Sequence, residues 1–192
     1  YNQNKNVTLY NDMSTILITG SAGFIGSHTA ERLLKKGHTV IGIDNMNDYC
    51  DPQLKQYNNN TLLTYDHYHF TNGDIRDKKT IKTLFESHSI DTMIHLAAMA
   101  GVRYSIENPE LYFDVNINGT VTLLEACRHY NVPKILFASS SSVYGNNTKV
   151  PFSEKDNVDF PISPYAASKK AGELICYNYH HLYKLNIACL RF

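Results

Sequence analysis

The sequence lacks an excess of charge of either sign. Its 192 residues carry 18 lysines and arginines against 18 aspartates and glutamates, so the formal net charge is zero. Nucleic acids and anionic membrane surfaces recruit proteins through surplus positive charge, and we therefore expect neither as a partner. The sequence also has no apolar run near the roughly 18 residues that a membrane span requires.

An export signal is missing as well. Residues 1–12 are polar and rich in asparagine, and they lack the apolar segment of a secretory signal peptide. We therefore expect a cytoplasmic protein with a disordered lead over residues 1–12, followed by a single domain over residues 13–192.

Metal-ligand and disulfide patterns are absent too. The four cysteines lie far apart and form no C-x-x-C pair: Cys50, Cys127, Cys176 and Cys189. A chain of this size without an export signal has little use for a disulfide framework. The pattern predicts free thiols and no metal site.

What the sequence does contain is a repeated alternation of strand and helix patterns. Short apolar runs predict six strands, over residues 16–19, 40–43, 68–70, 93–97, 135–138 and 187–190. Runs of this kind suit parallel strands that are covered on both faces. Helical patterns fill most intervals, and one of them starts with Ser163 as N-cap and Pro164 in the first turn. Residues 45–66 predict only loops and a short helix.

This order of elements predicts an α/β fold with a doubly wound parallel sheet, the Rossmann fold. A glycine-rich turn joins its first strand to its first helix, with Gly20, Gly23 and Gly26 at G-x-x-G-x-x-G spacing. Such glycines permit a tight turn and let backbone N–H groups approach a pyrophosphate. The turn, including Phe24 and Ile25, is therefore a predicted dinucleotide-binding site.

Two aspartates follow the next two strands. Asp44 ends the second strand, where a carboxylate accepts hydrogen bonds from an adenosine ribose and repels a 2′-phosphate. It therefore favours NAD over NADP. Asp74, after the third strand, is in a position to bind the adenine amino group. For each aspartate the alternative interpretation is an ordinary turn residue.

A tyrosine and a lysine lie one helical turn apart. Tyr165 and Lys169 share a helix face, so the lysine charge and an oxidised nicotinamide would stabilise a phenolate. This spacing also occurs by chance in many helices. The serine run 139–142 favours catalysis, because it ends a buried strand where ligands of such sheets bind. Ser140 and Tyr165 would then bind the same substrate oxygen.

Taken together, these motifs resemble the extended short-chain dehydrogenases/reductases of the NAD-dependent epimerase/dehydratase group. The similar segments are residues 20–26, 44–45, 73–75, 95–98, 116–120, 140–145, 165–169 and 190–192. The runs 98–109 and 138–145 are most similar to UDP-glucuronate 4-epimerases, with Met99 where glutamine is expected. The resemblance adds further expected NAD contacts: Asn45, Ile75, Leu96, Ala97, Ala98, Asn116, Tyr165 and Lys169.

The resemblance implies a reaction. Tyr165 would deprotonate the sugar 4-hydroxyl while NAD takes a hydride from C4. Return of the hydride to the other face of the 4-keto sugar would then invert C4. It also implies a UDP-sugar substrate, a homodimer, and a C-terminal substrate-binding portion that this sequence lacks. Arg103, Ser141 and Ser142 are expected near the sugar.

The sequence leaves three functions open. The first is epimerisation of UDP-glucuronate or of another UDP-sugar. The second is a dehydratase, decarboxylase or reductase on the same scaffold, although 4,6-dehydratases carry an Asp-Glu pair where this chain has Ser141 and Ser142. The third is a catalytically silent NAD-binding module.

Overall fold

Six parallel strands form a single sheet in the computed structural model, which describes residues 13–192. The strands are β1 (Thr15–Thr19), β2 (Thr39–Asp44), β3 (Tyr68–Asn72), β4 (Thr92–His95), β5 (Lys134–Ser139) and β6 (Ile187–Arg191). Their order across the sheet is β3-β2-β1-β4-β5-β6, and every neighbouring pair is parallel. The predicted Rossmann fold is confirmed. The predicted disordered lead lies outside the described residues.

Helices connect the strands. They are α1 (Phe24–Leu34), α2 (Pro52–Leu62), α3 (Lys78–Ser87), α4 (Val102–Glu107), α5 (Pro109–Phe113), α6 (Gly119–His129) and α7 (Pro164–Tyr183). A π-helical turn (Asp114–Asn118) joins α5 to α6, and a 3₁₀ turn (Ser141–Tyr144) follows β5. The predicted cap of α7 is present, since Ser163 Oγ accepts a 3.1 Å hydrogen bond from the Ala166 N–H.

The predicted strands match the observed ones to within two residues at each end, and two differences between prediction and structure bear on the site. The fourth strand ends at His95, so Leu96 and Ala97 belong to the loop that follows it. The short helix expected within residues 45–66 is 11 residues long. Its start is well defined, because the Asp51 carboxylate accepts a 2.9 Å hydrogen bond from the Gln53 N–H and Pro52 occupies the first helical position.

The core lies on both faces of the sheet. The larger cluster includes Leu17, Met93 and Leu123, and the smaller one includes Ile18 and Val40. Strand order reverses between β1 and β4, which opens a crevice at the carboxyl ends of these two strands. The glycine turn after β1 and the loop after β4 therefore form facing walls of one groove.

Two further observations concern the described part of the chain. All four cysteines are free thiols, as expected, with Cys127 and Cys176 buried and Cys50 and Cys189 exposed. None of the helices in residues 13–192 is long and apolar enough to cross a bilayer.

Candidate active site

The glycine turn is built so closely that side chains are excluded from it. Gly20 has a φ of +73°, and a Cβ there would lie 2.9 Å from the Ala97 nitrogen. A Cβ on Gly26 would lie 2.0 Å from the Gly20 carbonyl oxygen. Both positions therefore require glycine. The Gly20 N–H donates a 2.8 Å hydrogen bond to the Ile43 carbonyl, which fixes the turn against β2.

Asp44 is held by a buried cation that no sequence pattern indicated. Its Oδ1 atom accepts hydrogen bonds from the Met46 N–H at 2.9 Å and from Lys55 Nζ at 3.2 Å. Its Oδ2 atom accepts one from the Ala22 N–H at 3.2 Å. Lys55 also donates to Asn47 Oδ1 at 2.8 Å, and its exposed fraction is only 8%. The predicted ribose-binding carboxylate is thus an ion-paired, oriented group.

Asp74 is fixed by an arginine. Arg76 Nη2 lies 2.7 Å from Asp74 Oδ2, and Arg76 Nη1 lies 2.6 Å from Asp114 Oδ2. Hydrogen bonding from Arg76 lowers the pKa of Asp74 to about 2. Asn45 Nδ2 donates to the same carboxylate at 3.2 Å. Asp74 is therefore an anionic acceptor at neutral pH, which is compatible with the predicted adenine contact.

Most of the predicted cofactor residues line the groove between the glycine turn and the loop after β4. Those that line it are Gly20, Gly23, Asp44, Asn45, Asp74, Ile75, Leu96, Ala97 and Ala98. Lys55 and Met99 line it too. Phe24 and Ile25 lie at the start of α1 with exposed fractions of 78% and 46%, so their predicted contacts with NAD stay predictions.

Asn116 lies in the π-helical turn and joins the loop after β4 to the helix α7. Its Oδ1 atom accepts from the Met99 N–H at 2.8 Å, and its Nδ2 atom donates to the Met99 carbonyl at 2.9 Å and to Ser168 Oγ at 2.9 Å. The Asn116 amide is thus used within the protein, and its predicted contact with NAD stays a prediction. Only the backbone of Met99 is bonded, so methionine can replace the expected glutamine.

Lys169 is buried beneath the end of β5. Its Nζ atom donates a 2.8 Å hydrogen bond to the Ala138 carbonyl and lies 5.3 Å from the centre of the Phe137 ring. Burial lowers the pKa of Lys169 to about 8. The ammonium is therefore a weakly solvated cation, and its field acts strongly on nearby groups.

Tyr165 lies in the first turn of α7 and packs against a second tyrosine. Its ring meets the Tyr112 ring edge-on, with the centroids 6.1 Å apart. The hydroxyls of Tyr112 and Tyr49 both donate to the Ala100 carbonyl. Burial raises the pKa of Tyr112, so this phenol remains neutral and serves as a fixed wall beside Tyr165.

Ser140 is the N-cap of the 3₁₀ turn. Its Oγ atom accepts a 3.1 Å hydrogen bond from the Ser142 N–H and donates to Ser142 Oγ at 3.1 Å. Ser141 is exposed and Ser142 half-buried, and Arg103 is exposed on the first turn of α4. The helix α7, which carries Tyr165, packs against both β5 and this turn.

An ion pair fastens α7 to the last two strands. Arg191 donates through Nε and Nη2 to the two oxygens of Glu173, each at 2.8 Å. Ser139 Oγ donates to Glu173 Oε1 at 2.6 Å. The Arg191 guanidinium also lies 5.1 Å from the centre of the Tyr144 ring. These contacts fix the helix α7, which carries Tyr165 and Lys169, relative to the 3₁₀ turn that follows Ser140.

The sheet order, the glycine turn and the Ser-Tyr-Lys set define a Rossmann domain of the extended short-chain dehydrogenase/reductase type. The family model described as GDP-mannose 4,6 dehydratase matches residues 17–192. The chain belongs to this family, and the predicted membership is confirmed.

Relatives with similar sequences bear the name of an epimerase. The chain is 51% identical over 186 residues to UDP-glucuronate 4-epimerase 4 of Arabidopsis thaliana, which covers 96% of the chain and 42% of that protein. It is 48% identical over 180 residues to UDP-glucuronate 4-epimerase of Thermodesulfobacterium geofontis, covering 94% of the chain and 55% of that protein. The chain therefore spans about half the length of these relatives.

Solved structures agree with this assignment. UDP-glucuronic acid 4-epimerase from Bacillus cereus, in complex with UDP-glucuronic acid and NAD, matches with a TM-score of 0.85 and 38% identity, over 92% of this chain and 55% of that one. UDP-glucose 4-epimerase of Thermus thermophilus, in complex with NAD, matches with a TM-score of 0.81 and 37% identity, over 92% and 54%.

Proposed function

We propose that this chain is the NAD-binding and catalytic part of an isomerase that inverts C4 of a UDP-sugar, with UDP-glucuronate as the substrate. The observation that carries the proposal is the buried Lys169 ammonium beneath the end of β5, on the same helix as Tyr165 and beside the Ser140 turn. A protein that only bound the dinucleotide would not need this set.

The residues of the groove fit NAD. Backbone amides of a turn without side chains, at Gly20 and Gly23, suit the pyrophosphate. Asp44, oriented by Lys55, suits the ribose hydroxyls, and the anionic Asp74 suits an amino group of adenine. Bound NAD would accept a hydride from C4 and return it to the opposite face of the 4-keto sugar.

The protein's own residues would handle the proton. Tyr165 would take the proton of the 4-hydroxyl, while Ser140 would donate a hydrogen bond to the same oxygen. Lys169 would stabilise the phenolate by its charge, because a cation held in a poorly solvated site favours an anion nearby. When the hydride returns, Tyr165 would give the proton back.

Two features favour epimerisation of a uronate over the other reactions of the family. Ser141 and Ser142 supply hydroxyls where 4,6-dehydratases carry an Asp-Glu pair, so the acid and base for removing water are lacking. Hydroxyls and the exposed Arg103 also suit a sugar carboxylate. The names of the sequence relatives support the same substrate.

The test uses a full-length version of the protein. It is incubated with UDP-glucuronate and NAD, and the product is identified by NMR. We expect UDP-galacturonate to form without added oxidant. A 4-keto-6-deoxy sugar, a pentose or no product would contradict the proposal. UDP-glucose and UDP-N-acetylglucosamine are tested in parallel, and faster conversion of either one would reassign the sugar.

The chain alone should bind NAD but turn the substrate over poorly, and calorimetry with NAD tests the first half of this statement. We further propose a homodimer. Helix α7 exposes Leu174, Tyr177 and Leu182, and apolar side chains of this size on one helix suit a protein interface. Light scattering on the full-length protein would decide between a monomer and a dimer.

A further inference from the structure

His95 ends β4 with its imidazole buried and both ring nitrogens hydrogen-bonded. Its Nε2 atom lies 3.0 Å from Thr120 Oγ1, and its Nδ1 atom lies 2.7 Å from Thr19 Oγ1. Only 3% of the residue is exposed. The reaction proposed above does not use this ring, although it connects the strand before the glycine turn to the helix after the π-helical turn.

The hydrogen bonds of Thr120 determine which ring nitrogen carries the proton. Thr120 Oγ1 lies 2.6 Å from the Asn116 carbonyl oxygen, and a carbonyl can only accept. The hydroxyl proton therefore points to Asn116, which leaves an oxygen lone pair for a proton on His95 Nε2.

The hydrogen bonds of Thr19, at the other ring nitrogen of His95, are consistent with a proton on Nε2. Its Oγ1 atom accepts hydrogen bonds from the N–H groups of Leu96 and Ala97, at 3.2 and 3.1 Å. Its own proton is then free to be donated to His95 Nδ1, which is unprotonated in the neutral Nε2–H tautomer. Burial, and then the charge of Lys169, lower the pKa of His95 to about 3. The ring therefore stays neutral.

A one-way series of hydrogen bonds results. It leads from the Ala97 N–H through Thr19 and His95 to Thr120 and the Asn116 carbonyl. The Asn116 side chain continues it by donating to Ser168 Oγ, which donates at 2.8 Å to the Tyr165 carbonyl. One wall of the cofactor groove is thereby tied to the first turn of the helix that carries Tyr165.

We propose that His95 is a positioning residue of the NAD site and that it acts only as the neutral Nε2–H tautomer. Through Thr19 it fixes the backbone of Leu96 and Ala97, and through Thr120 it fixes the turn that holds Asn116. This inference rests on the proposed binding of NAD, but the state of the ring can be measured without NAD.

The first experiment is nitrogen NMR of the histidine rings in the chain without ligand, with His95 assigned by comparison with the His95→Gln variant. We expect the Nε2–H tautomer and no titration between about pH 5 and 8, in contrast to an unperturbed histidine. An Nδ1–H ring, or titration within this range, would overturn the inference.

The second experiment measures NAD affinity by calorimetry. His95→Asn retains an acceptor near the position of Nδ1, and His95→Gln retains a donor near that of Nε2, so each keeps one of the two links. Thr19→Val and Thr120→Val remove the links from the other side without changing the shape much. We expect each variant to bind NAD about tenfold more weakly, the effect of one lost hydrogen bond.

The combination of His95→Asn with Thr120→Val separates positioning from general loss of stability. Both changes break the same link, so their combined effect on NAD affinity should be smaller than the product of the single effects. Leu185→Ala is the matched control, since Leu185 is buried just before β6, at the amino ends of the strands, whereas the groove lies at their carboxyl ends. It should lower thermal stability and leave NAD affinity unchanged.

The outcomes separate the two proposals. If the unsubstituted chain binds NAD and the four single variants bind it equally well, the positioning role is wrong. If Leu185→Ala weakens binding as much as they do, the effect is one of stability and the role is equally wrong. If the unsubstituted chain does not bind NAD, the proposed function is contradicted, and the NMR measurement still decides the tautomer.

Discussion

The Nζ atom of Lys169 donates its hydrogen bond to the Ala138 carbonyl, two residues before Ser140, in a site from which water is almost entirely excluded. The cation is thus held by the strand β5, which leads directly into Ser140 and the 3₁₀ turn. A solvated lysine would be screened and mobile, whereas this one has a fixed position relative to both Ser140 and Tyr165.

The buried ammonium should cost stability. The pKa of Lys169 falls from 10.5 to about 8, a difference of about 3 kcal/mol at pH 7. Lys169→Met should therefore stabilise the fold at pH 7 by about 1–2 kcal/mol, once the lost hydrogen bond is subtracted. The gain should shrink as the pH rises from about 8 to 10.5, where the lysine becomes neutral in both states. Urea unfolding at several pH values measures this, and a destabilised variant would contradict it.

Because Asp44 and Lys55 form a buried ion pair, removing the lysine alone should destabilise the fold more than removing both charges. Lys55→Met leaves a buried carboxylate without its cation, which should destabilise the fold by about 3 kcal/mol and weaken the binding of NAD. Adding Asp44→Asn should restore much of the stability but not the affinity for NAD. Urea unfolding and calorimetry of the single and double variants check both statements. If Lys55→Met and the double variant were equally stable, the Asp44 carboxylate would not be buried as described.

The neutral imidazole of His95 predicts sensitivity to acid. Its pKa is about 3 in the fold, against 6.5 for an unperturbed histidine, so the unfolded chain binds the proton first. The contribution of His95 to the free energy of unfolding is intact above about pH 6.5. It declines toward pH 3, by about 5 kcal/mol in total. The free energy of unfolding of His95→Asn should fall less over this range than that of the unsubstituted chain.

The matched control for this pH series is His129→Asn, at an exposed position on α6. Carboxylates with a lowered pKa, such as Asp74, also contribute less to stability as the pH falls. They do so in every variant, so the difference between the curves isolates the single ring. Parallel curves for the unsubstituted chain and His95→Asn would show that the imidazole is not held neutral.

Removal of the Tyr165 hydroxyl should slow turnover strongly and preserve the cofactor site. In the full-length protein, Tyr165→Phe should lower the rate of epimerisation by about 10²–10⁴, the usual contribution of a general base. The ring would still pack against Tyr112, so NAD affinity should change little. Product NMR and calorimetry measure the two quantities. An unchanged rate would remove Tyr165 from the proposed mechanism.

Features that depend on local spacing were predictable from the sequence. The glycine turn, the cap at Ser163 and the turn-apart pair Tyr165 and Lys169 are each encoded within a few residues, and all have the expected local structure. The six strands were predictable because buried parallel strands are continuous apolar runs. The fourth was predicted too long, since Leu96 and Ala97 are apolar but leave the sheet to line the groove.

Features that depend on distant partners were not predictable. Lys55 lies on a polar helix, and only folding shows that its charge is buried against Asp44. The hydrogen bonds of His95 join residues from β1, β4 and α6, so no spacing indicates them. The π-helical turn also escaped prediction, because its sequence shares the pattern of the regular helix on either side.

The π-helical turn at Asp114–Asn118 has a consequence for how this protein can change over time. A π-helical turn holds one more residue than an α-helical one, so deleting a single residue there would restore a regular helix. The extra residue is absorbed inside the turn, so the helices on either side would keep nearly the same orientation after such a deletion. The side chains inside the turn would move instead, and Asn116 would lose its contacts with Met99 and Ser168. Descendants of this sequence should therefore keep the length of this turn even where the residues of the flanking helices diverge.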